Sequence, residues 1–210
     1  MTSPAAGPGD PHATDLDATD LDATDLDANQ LDANHLDTTD LRTGAPIADA
    51  LLALLPLVGE WAGTGAGTKP ATGEQFAYYQ RITFAHDGRP FLAYESRTWL
   101  VDARGTVVRP AAREVGFWRP GPSPDDVEVV LALNTGLALI LTGTAGDQQW
   151  DLTATTLTSA PTAKAVDAHR RFYAIVDDAL VYAQELAPAG QALQPHLNAR
   201  LARTSNRVRT

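Results

Sequence analysis

The feature that most constrains the fold is a long succession of short, strand-like stretches separated by turn residues. In residues 74–85, EQFAYYQRITFA, apolar and polar side chains alternate, as on a strand with one buried face. The dipeptide Asp87-Gly88 follows, which is a strong hairpin signal. No amphipathic helix of crossover length separates the stretches, so the predicted sheet is antiparallel.

About ten such strands fit into the chain after residue 45. This pattern favours an all-β, up-and-down barrel of the lipocalin or fatty-acid-binding type, which closes on itself and can hold a ligand. An apolar segment (46–59) precedes the strands and is predicted to be a short helix ending near Pro56 and Gly59. The predicted strands are 59–67, 74–85, 90–101, 106–119, 126–134, 136–143, 148–158, 163–176, 179–187 and 196–203.

Negative charge is concentrated in the first 45 residues. They contain ten Asp, no Glu and one basic residue, Arg42, so they carry −9 of the formal net charge of −10. The rest of the chain is close to neutral, which argues against a basic nucleic-acid-binding surface. We therefore expect no nucleic-acid partner for the predicted barrel, residues 46–205.

A five-residue repeat runs through this acidic tail and resembles degenerate pentapeptide repeats. Six repeats are too few to bury a repeat core of their own. We therefore predict that residues 1–45 form an acidic, low-complexity, disordered tail. The repeating leucines are Leu16, Leu21, Leu26, Leu31, Leu36 and Leu41.

Several features that the sequence lacks exclude particular kinds of site and location. The chain has no cysteine, which excludes disulfides and thiolate metal sites. It has no apolar run of about 18 residues and no signal-peptide pattern, so the expected location is the cytoplasm, without a membrane partner. No pair of histidines has metal-chelating spacing, so a zinc site is not expected.

Four blocks of sequence resemble the nitrobindins, a family of small heme-binding β-barrels. The first contains Trp61 among four glycines, Gly59, Gly63, Gly65 and Gly67, followed by Pro70. Since Lys69 precedes a proline and no helix follows, these glycines do not form a phosphate-binding loop. The other blocks are ITFAHDGRPFLAYESRTW (82–99), REVGFWRP (113–120) and LQPHLNARLAR (193–203), so the resemblance covers about residues 50–203.

The resemblance implies a ten-stranded barrel that holds a ferric heme b in its mouth through one histidine, binds nitric oxide and isomerises peroxynitrite to nitrate. His196 falls on the position of the axial ligand and is the predicted catalytic residue. Lys164 and Thr72 fall near the heme edge, where a cation or a hydroxyl could meet a propionate. The glycine-rich block adds Trp61, Gly63 and Gly65 as cofactor-binding residues. The sequence leaves open whether the chain forms a homodimer.

Two positions depart from the family pattern. Ala112 stands where the family has a histidine on the open, distal side of the heme. Lys69 stands in place of a tyrosine, and the nearby threonine is displaced to Thr72. The first departure removes a hydrogen-bond donor, and the second changes the packing of the cofactor.

Strand alternation by itself argues against His196 as a ligand. It groups His196 with Asn198 and Arg200, the polar set, whereas Leu197, Ala199 and Leu201 form the apolar set. Pro195 offers a resolution, because a proline marks strand starts and irregularities. The other histidines are expected to be unexceptional: His86 solvated or capping in a turn, and His169 facing solvent among arginines.

Two alternative functions fit the same sequence. A barrel of this kind could carry a small hydrophobic ligand without iron chemistry. It could also act as a sensor or adaptor that uses the acidic tail, which includes His12 and His35, to bind a partner.

Overall fold

The computed structural model describes residues 37–204, so most of the predicted tail lies outside the described residues. Within these residues, one 3-10 helix, Asp49–Leu57, precedes ten strands. Within residues 37–204, no helix has the length and apolar character needed to cross a membrane. The strands are β1 Gly59–Thr68, β2 Gln75–Ala85, β3 Leu92–Val101, β4 Val107–Pro120, β5 Asp126–Leu133, β6 Leu137–Gly146, β7 Gln149–Ser159, β8 Val166–Val176, β9 Ala179–Pro188 and β10 Gln194–Arg203.

The ten strands form one closed antiparallel barrel in which each strand pairs with the next along the chain. The barrel closes between β1 and β10, where Trp61 lies opposite Arg203 and Gly67 opposite Leu197. Because of this closure, each of the ten strands has a paired neighbour on both sides. The predicted all-β, ten-stranded, up-and-down barrel is confirmed.

The strands follow the alternation of the sequence. On β2, the side chains of Tyr78, Ile82 and Phe84 are buried in the barrel, whereas Arg81 between them is exposed. Such a period of two is the geometry of a pleated strand with one buried face. The alternation therefore decides which half of each strand's side chains fills the core.

The 3-10 helix closes one end of the barrel, which we call the closed end. Leu51, Leu54 and Leu57 are fully buried there against the strands. Trp61 donates a hydrogen bond to the carbonyl oxygen of Leu57 (2.8 Å), and Trp150 donates one to Ala53 (3.1 Å). The predicted helical segment is confirmed, and it acts as a plug beneath the core.

His86 is buried at the same end, so the expectation of a solvated or capping histidine was wrong. Its side chain is 1 % exposed. The backbone of His86 forms an isolated bridge with Thr38, with hydrogen bonds of 2.8 and 2.9 Å. His86 stands two residues after the buried Phe84 and so lies on the same face of the chain. The alternation of buried residues therefore continues one residue into the predicted turn.

Candidate functional site

His196 lies at the other end of the barrel, the open end, in a β-bulge. On β10, Pro195 pairs with Glu185 and Leu197 pairs with Gln184, which leaves His196 as the extra residue between two adjacent partners. Both His196 and Leu197 are half-buried as a result. A bulge re-aims a side chain that regular alternation would have placed outside. The predicted irregularity at Pro195 is therefore confirmed.

The ring of His196 is held by β1. Its Nδ1 atom lies 2.9 Å from the carbonyl oxygen of Thr68. Since a carbonyl oxygen only accepts, Nδ1 carries the proton and Nε2 keeps a free lone pair. Burial lowers the pKa of His196 below its ordinary value, against the opposing effect of the Thr68 hydrogen bond. The imidazole is thus neutral at pH 7, the state that binds a metal.

Apolar side chains form the walls of the open end, where His196 lies. Five side chains from β2, β3, β5, β7 and β10 pack against the core while remaining half-buried. The ring centroids of Phe76 and His196 are 6.5 Å apart in an edge-to-face arrangement. A free imidazole nitrogen within apolar walls fits a flat, apolar cofactor that carries its metal with it. The five residues are Phe76, Leu100, Leu133, Leu157 and Leu197.

Two glycines of β1 make room for aromatic rings on these walls. A Cβ atom on Gly65 would overlap the ring of Tyr78, and one on Gly67 would overlap the ring of Phe76. Gly63 has a different role, because a Cβ there would overlap the backbone of Arg200 on β10. The glycine-rich block thus lets rings and the closing strand lie close to β1.

A belt of buried polar side chains lies beneath these walls. Arg171 on β8 reaches Glu114 on β4 through two hydrogen bonds, 2.7 Å from Nη1 and 2.9 Å from Nη2. Tyr94 donates to the same carboxylate (3.1 Å). Burial opposes ionisation of Glu114, but the charge and hydrogen bonds of Arg171 outweigh it and hold the pKa of Glu114 below its ordinary value. The pair is therefore a buried, bidentate ion pair.

Tyrosines complete the belt. Tyr182 donates a hydrogen bond to Gln80 (2.9 Å), and Tyr78 donates one to the backbone oxygen of Asn198 (2.9 Å). Burial raises the pKa of Tyr78 to about 12, so its phenol stays protonated at neutral pH. The belt fixes the interior side chains below the open end.

His169 lies on the same inner face of β8 as Arg171, so the expectation that it faces solvent was wrong. Its side chain is 2 % exposed. Neither of its ring nitrogens has a hydrogen-bond partner within residues 37–204. Alternation explains the burial, because Arg170 takes the outward position and pairs with Asp151 at 2.7 Å. The sequence signal for this burial is the alternation of His169 and Arg171 with the aromatic Tyr173. The neighbouring arginines favoured the solvent-exposed interpretation instead.

Comparison with known proteins identifies the family. Residues 50–203 match the model described as the THAP4-like, heme-binding beta-barrel domain. The chain belongs to this family. Membership confirms the predicted nitrobindin-type barrel and heme as its cofactor.

Named relatives agree with this heme-binding family. A protein of Streptomyces griseus subsp. griseus named peroxynitrite isomerase is 49% identical over 166 residues, which cover 78% of this chain and 89% of the relative. A ferric nitrobindin-like protein of Saccharopolyspora erythraea is 43% identical, over 78% of each chain. The crystal structure of Rv2717c from M. tuberculosis is 40% identical, with a TM-score of 0.67, and covers 76% of this chain and 99% of that one.

The other residues predicted for the heme-binding site lie at different levels of the barrel. Two of them are exposed in loops at the open end: Thr72 in the turn between β1 and β2, and Lys164 just before β8. This is the end of the barrel at which His196 lies. Trp61 instead lies opposite Arg203 at the closed end, with its side chain fully buried. Trp61 therefore belongs to the plug, and the structure does not bring it together with His196.

Proposed function

We propose that the barrel of residues 46–205 holds a ferric heme b through Nε2 of His196 and converts peroxynitrite to nitrate. The observation that carries the proposal is the neutral His196 ring, whose Nδ1 atom is 2.9 Å from the Thr68 oxygen, so that Nε2 keeps its lone pair at an open end lined by apolar side chains. The relative named peroxynitrite isomerase, 49% identical, supports the reaction. Nitric oxide, a small neutral ligand, suits the same walls.

The residues of this chain have defined tasks in the proposed reaction. His196 binds the iron and is held in its tautomer by Thr68, since a second hydrogen bond orients a ligating imidazole. When bound, a ferric heme supplies a Lewis acid with an open position for a small anion. The apolar walls limit water around the reacting anion and keep it close to the iron.

The loops at the open end would meet the polar edge of the heme. The ammonium of Lys164 and the hydroxyl of Thr72 are exposed there and could bind propionate groups. The oxygen of Thr72 already accepts a hydrogen bond from the backbone of Glu74 (3.3 Å), which orders this turn. Gly63 and Gly65 contribute by close packing of β1 and not by a polar contact.

A homodimer and a cytoplasmic location stay predictions. A row of outward apolar side chains crosses three adjacent strands, since Phe117 pairs with Val130 and Val130 with Ile140. They are 49%, 41% and 40% exposed, and a second copy would cover them. Light scattering on the full chain and on Phe117→Glu would test this, because only a dimer formed through this row is dissociated by the substitution.

The test of the proposed function is a titration of the full chain with hemin, followed by mixing with peroxynitrite. We expect a Soret band that saturates at one heme per chain, faster decay of peroxynitrite than with free hemin, and nitrate as the product. Absence of hemin uptake would overturn the proposal and favour a barrel that carries a small hydrophobic ligand. Heme uptake without faster decay would restrict the protein to ligand binding.

A further inference from the structure

Three buried nitrogen atoms on β8 have no hydrogen-bond partner within the described part of the chain. They are Nδ1 and Nε2 of His169 and Nε of Arg171. Buried polar groups in folded proteins are nearly always paired, so unpaired ones mark places where water or a ligand binds. All three belong to neighbouring positions on one inner strand face, which makes them a cluster.

The ion pair with Glu114 leaves Nε of Arg171 available to donate a hydrogen bond to water or to a ligand. Both terminal nitrogens of the guanidinium bind Glu114, and Nη1 also lies 3.3 Å from the hydroxyl of Tyr173. Among the three guanidinium nitrogens, Nε is the one with no partner within residues 37–204. His169 stands two residues nearer to the open end, so the cluster is on the side of the belt that faces His196.

The ion pair shows that Arg171 on β8 and Glu114 on β4 lie at a similar height along the barrel axis. Going from Arg171 toward the open end, the next inward residue on β8 is His169. Going from Glu114 in the same direction, the position two residues away on β4 is Ala112, which is half-buried. Ala112 carries no hydrogen-bond donor. Two residues from the ion pair toward the open end, β8 therefore carries an imidazole, whereas β4 carries only a methyl group, beside an irregularity in its pairing with β3.

The electrostatic surroundings suit a small oxygen-bearing anion. Burial lowers the pKa of His169 well below its ordinary value, and the charge of Arg171 lowers it further. The ring is therefore neutral and donates one hydrogen bond, while Nε of Arg171 adds a second donor from a guanidinium whose charge Glu114 balances. These two N–H groups are donors from which the oxygens of a small anion could accept hydrogen bonds.

The barrel wall is loosened beside His169. Pairing between β7 and β8 ends at Thr153 and Arg170, although both strands continue toward the open end. A surface groove of about 510 Å³ lies over this place and is bordered by His169. The groove therefore reaches His169, although not Arg171, from the outside of the barrel.

We propose that His169 and Nε of Arg171 form an anion subsite that binds an oxygen of peroxynitrite or of the nitrate product. The subsite deepens the proposed function and rests on it. His169 would thus be a specificity-determining residue that replaces the hydrogen-bond donor absent at Ala112.

The test uses the ¹⁵N-labelled full chain loaded with zinc protoporphyrin, a diamagnetic stand-in for heme. The chain is titrated with sodium nitrate, against sodium chloride at equal ionic strength, and side-chain resonances are followed by NMR. The variants are His169→Phe, which keeps a ring without a donor, and His169→Gln, which keeps an amide donor. His86→Phe is the matched control, since His86 is about as buried at the closed end and its ring nitrogens also have no partner among the described residues.

We expect nitrate to shift the Arg171 Nε–H and His169 ring resonances saturably. His169→Phe should weaken nitrate binding about tenfold, the effect of one hydrogen bond to a charged group. His169→Gln should recover part of the loss, and His86→Phe should bind as the wild type does.

The outcomes separate the subsite from the function on which it rests. If the protein takes up hemin and zinc protoporphyrin normally but nitrate causes no saturable shift, the subsite alone is overturned. The same holds if His169→Phe and His169→Gln bind nitrate with equal affinity. Failure to take up either porphyrin overturns the proposed function, and the inference falls with it.

Discussion

Nδ1 of His196 lies 2.9 Å from the carbonyl oxygen of Thr68, and this contact joins the last strand of the barrel to the first. The two strands meet only because the barrel closes, with Gly67 opposite Leu197. The orientation of the proposed iron ligand therefore depends on closure of the whole barrel, not on the bulge at Pro195 alone.

His196→Ala should abolish tight heme binding. We expect the affinity for hemin to fall by more than about 100-fold, because loss of even an outer partner of a metal ligand costs about 10–100-fold. Stability should fall by only about 0.5–1.5 kcal/mol, the value of one hydrogen bond. Hemin titration with and without added imidazole, beside Asn198→Ala on the same strand, is the measurement. A wild-type Soret band in His196→Ala would remove it as the ligand.

Trp61→Phe should weaken the fold without weakening heme binding. The substitution removes the 2.8 Å hydrogen bond to Leu57 and part of a buried ring over which Arg203 lies at 4.0 Å. We expect a loss of about 1–3 kcal/mol in the free energy of unfolding, measured in urea. An unchanged unfolding midpoint, or a clear loss of hemin affinity in the folded variant, would contradict the placement of Trp61 in the plug.

Gly65→Ala should disturb the wall beside the site. The added Cβ would overlap the ring of Tyr78 and the backbone oxygen of Asn198, so backbone has to move. We expect a loss of about 1–3 kcal/mol in stability and weaker hemin binding. Gly146→Ala is the matched control, since nothing lies within 4 Å of a Cβ at Gly146, and its effect should stay within about 0.5 kcal/mol. Equal effects of the two substitutions would refute the packing role.

Glu114→Gln should be strongly destabilising, because it leaves the charge of Arg171 buried without its counter-ion. Side-chain exposures of 3% and 12% place both partners of this ion pair in the interior. Breaking a buried pair from one side costs about 3–5 kcal/mol. Urea unfolding should show this loss, whereas Glu128→Gln, which breaks the more exposed pair with Arg119 (3.4 Å), should cost about 0–1 kcal/mol.

His169 should make stability fall in mild acid. Its pKa is depressed in the folded protein by burial, so the unfolded chain binds the proton first as the pH falls below about 6.5. The stability due to neutral His169 is present above that pH and is lost below it, by up to about 1.4 kcal/mol per pH unit. Urea unfolding between pH 7.5 and 5 should therefore show a flatter profile for His169→Phe. Parallel profiles would show that His169 is not buried as a neutral ring.

The sequence predicted the architecture well because strand alternation is a local property. The residues of β2 that face the core, the turn at Asp87-Gly88 and the short helix before β1 each follow from neighbours in the chain. An irregularity next to His196 was also predicted, since Pro195 lacks the N–H that a regular ladder requires, but the structure showed that it is a bulge within β10.

By itself, the sequence determined the ten-stranded antiparallel barrel, the family and the histidine proposed to bind heme. The tertiary structure alone decided which distant side chains meet: Thr68 with His196, Glu114 with Arg171, and His169 with the interior instead of solvent. The physical reason is that alternation assigns a side chain to the inside or the outside of its own strand. Which inward side chains share a level depends on the register of every ladder around the closed barrel.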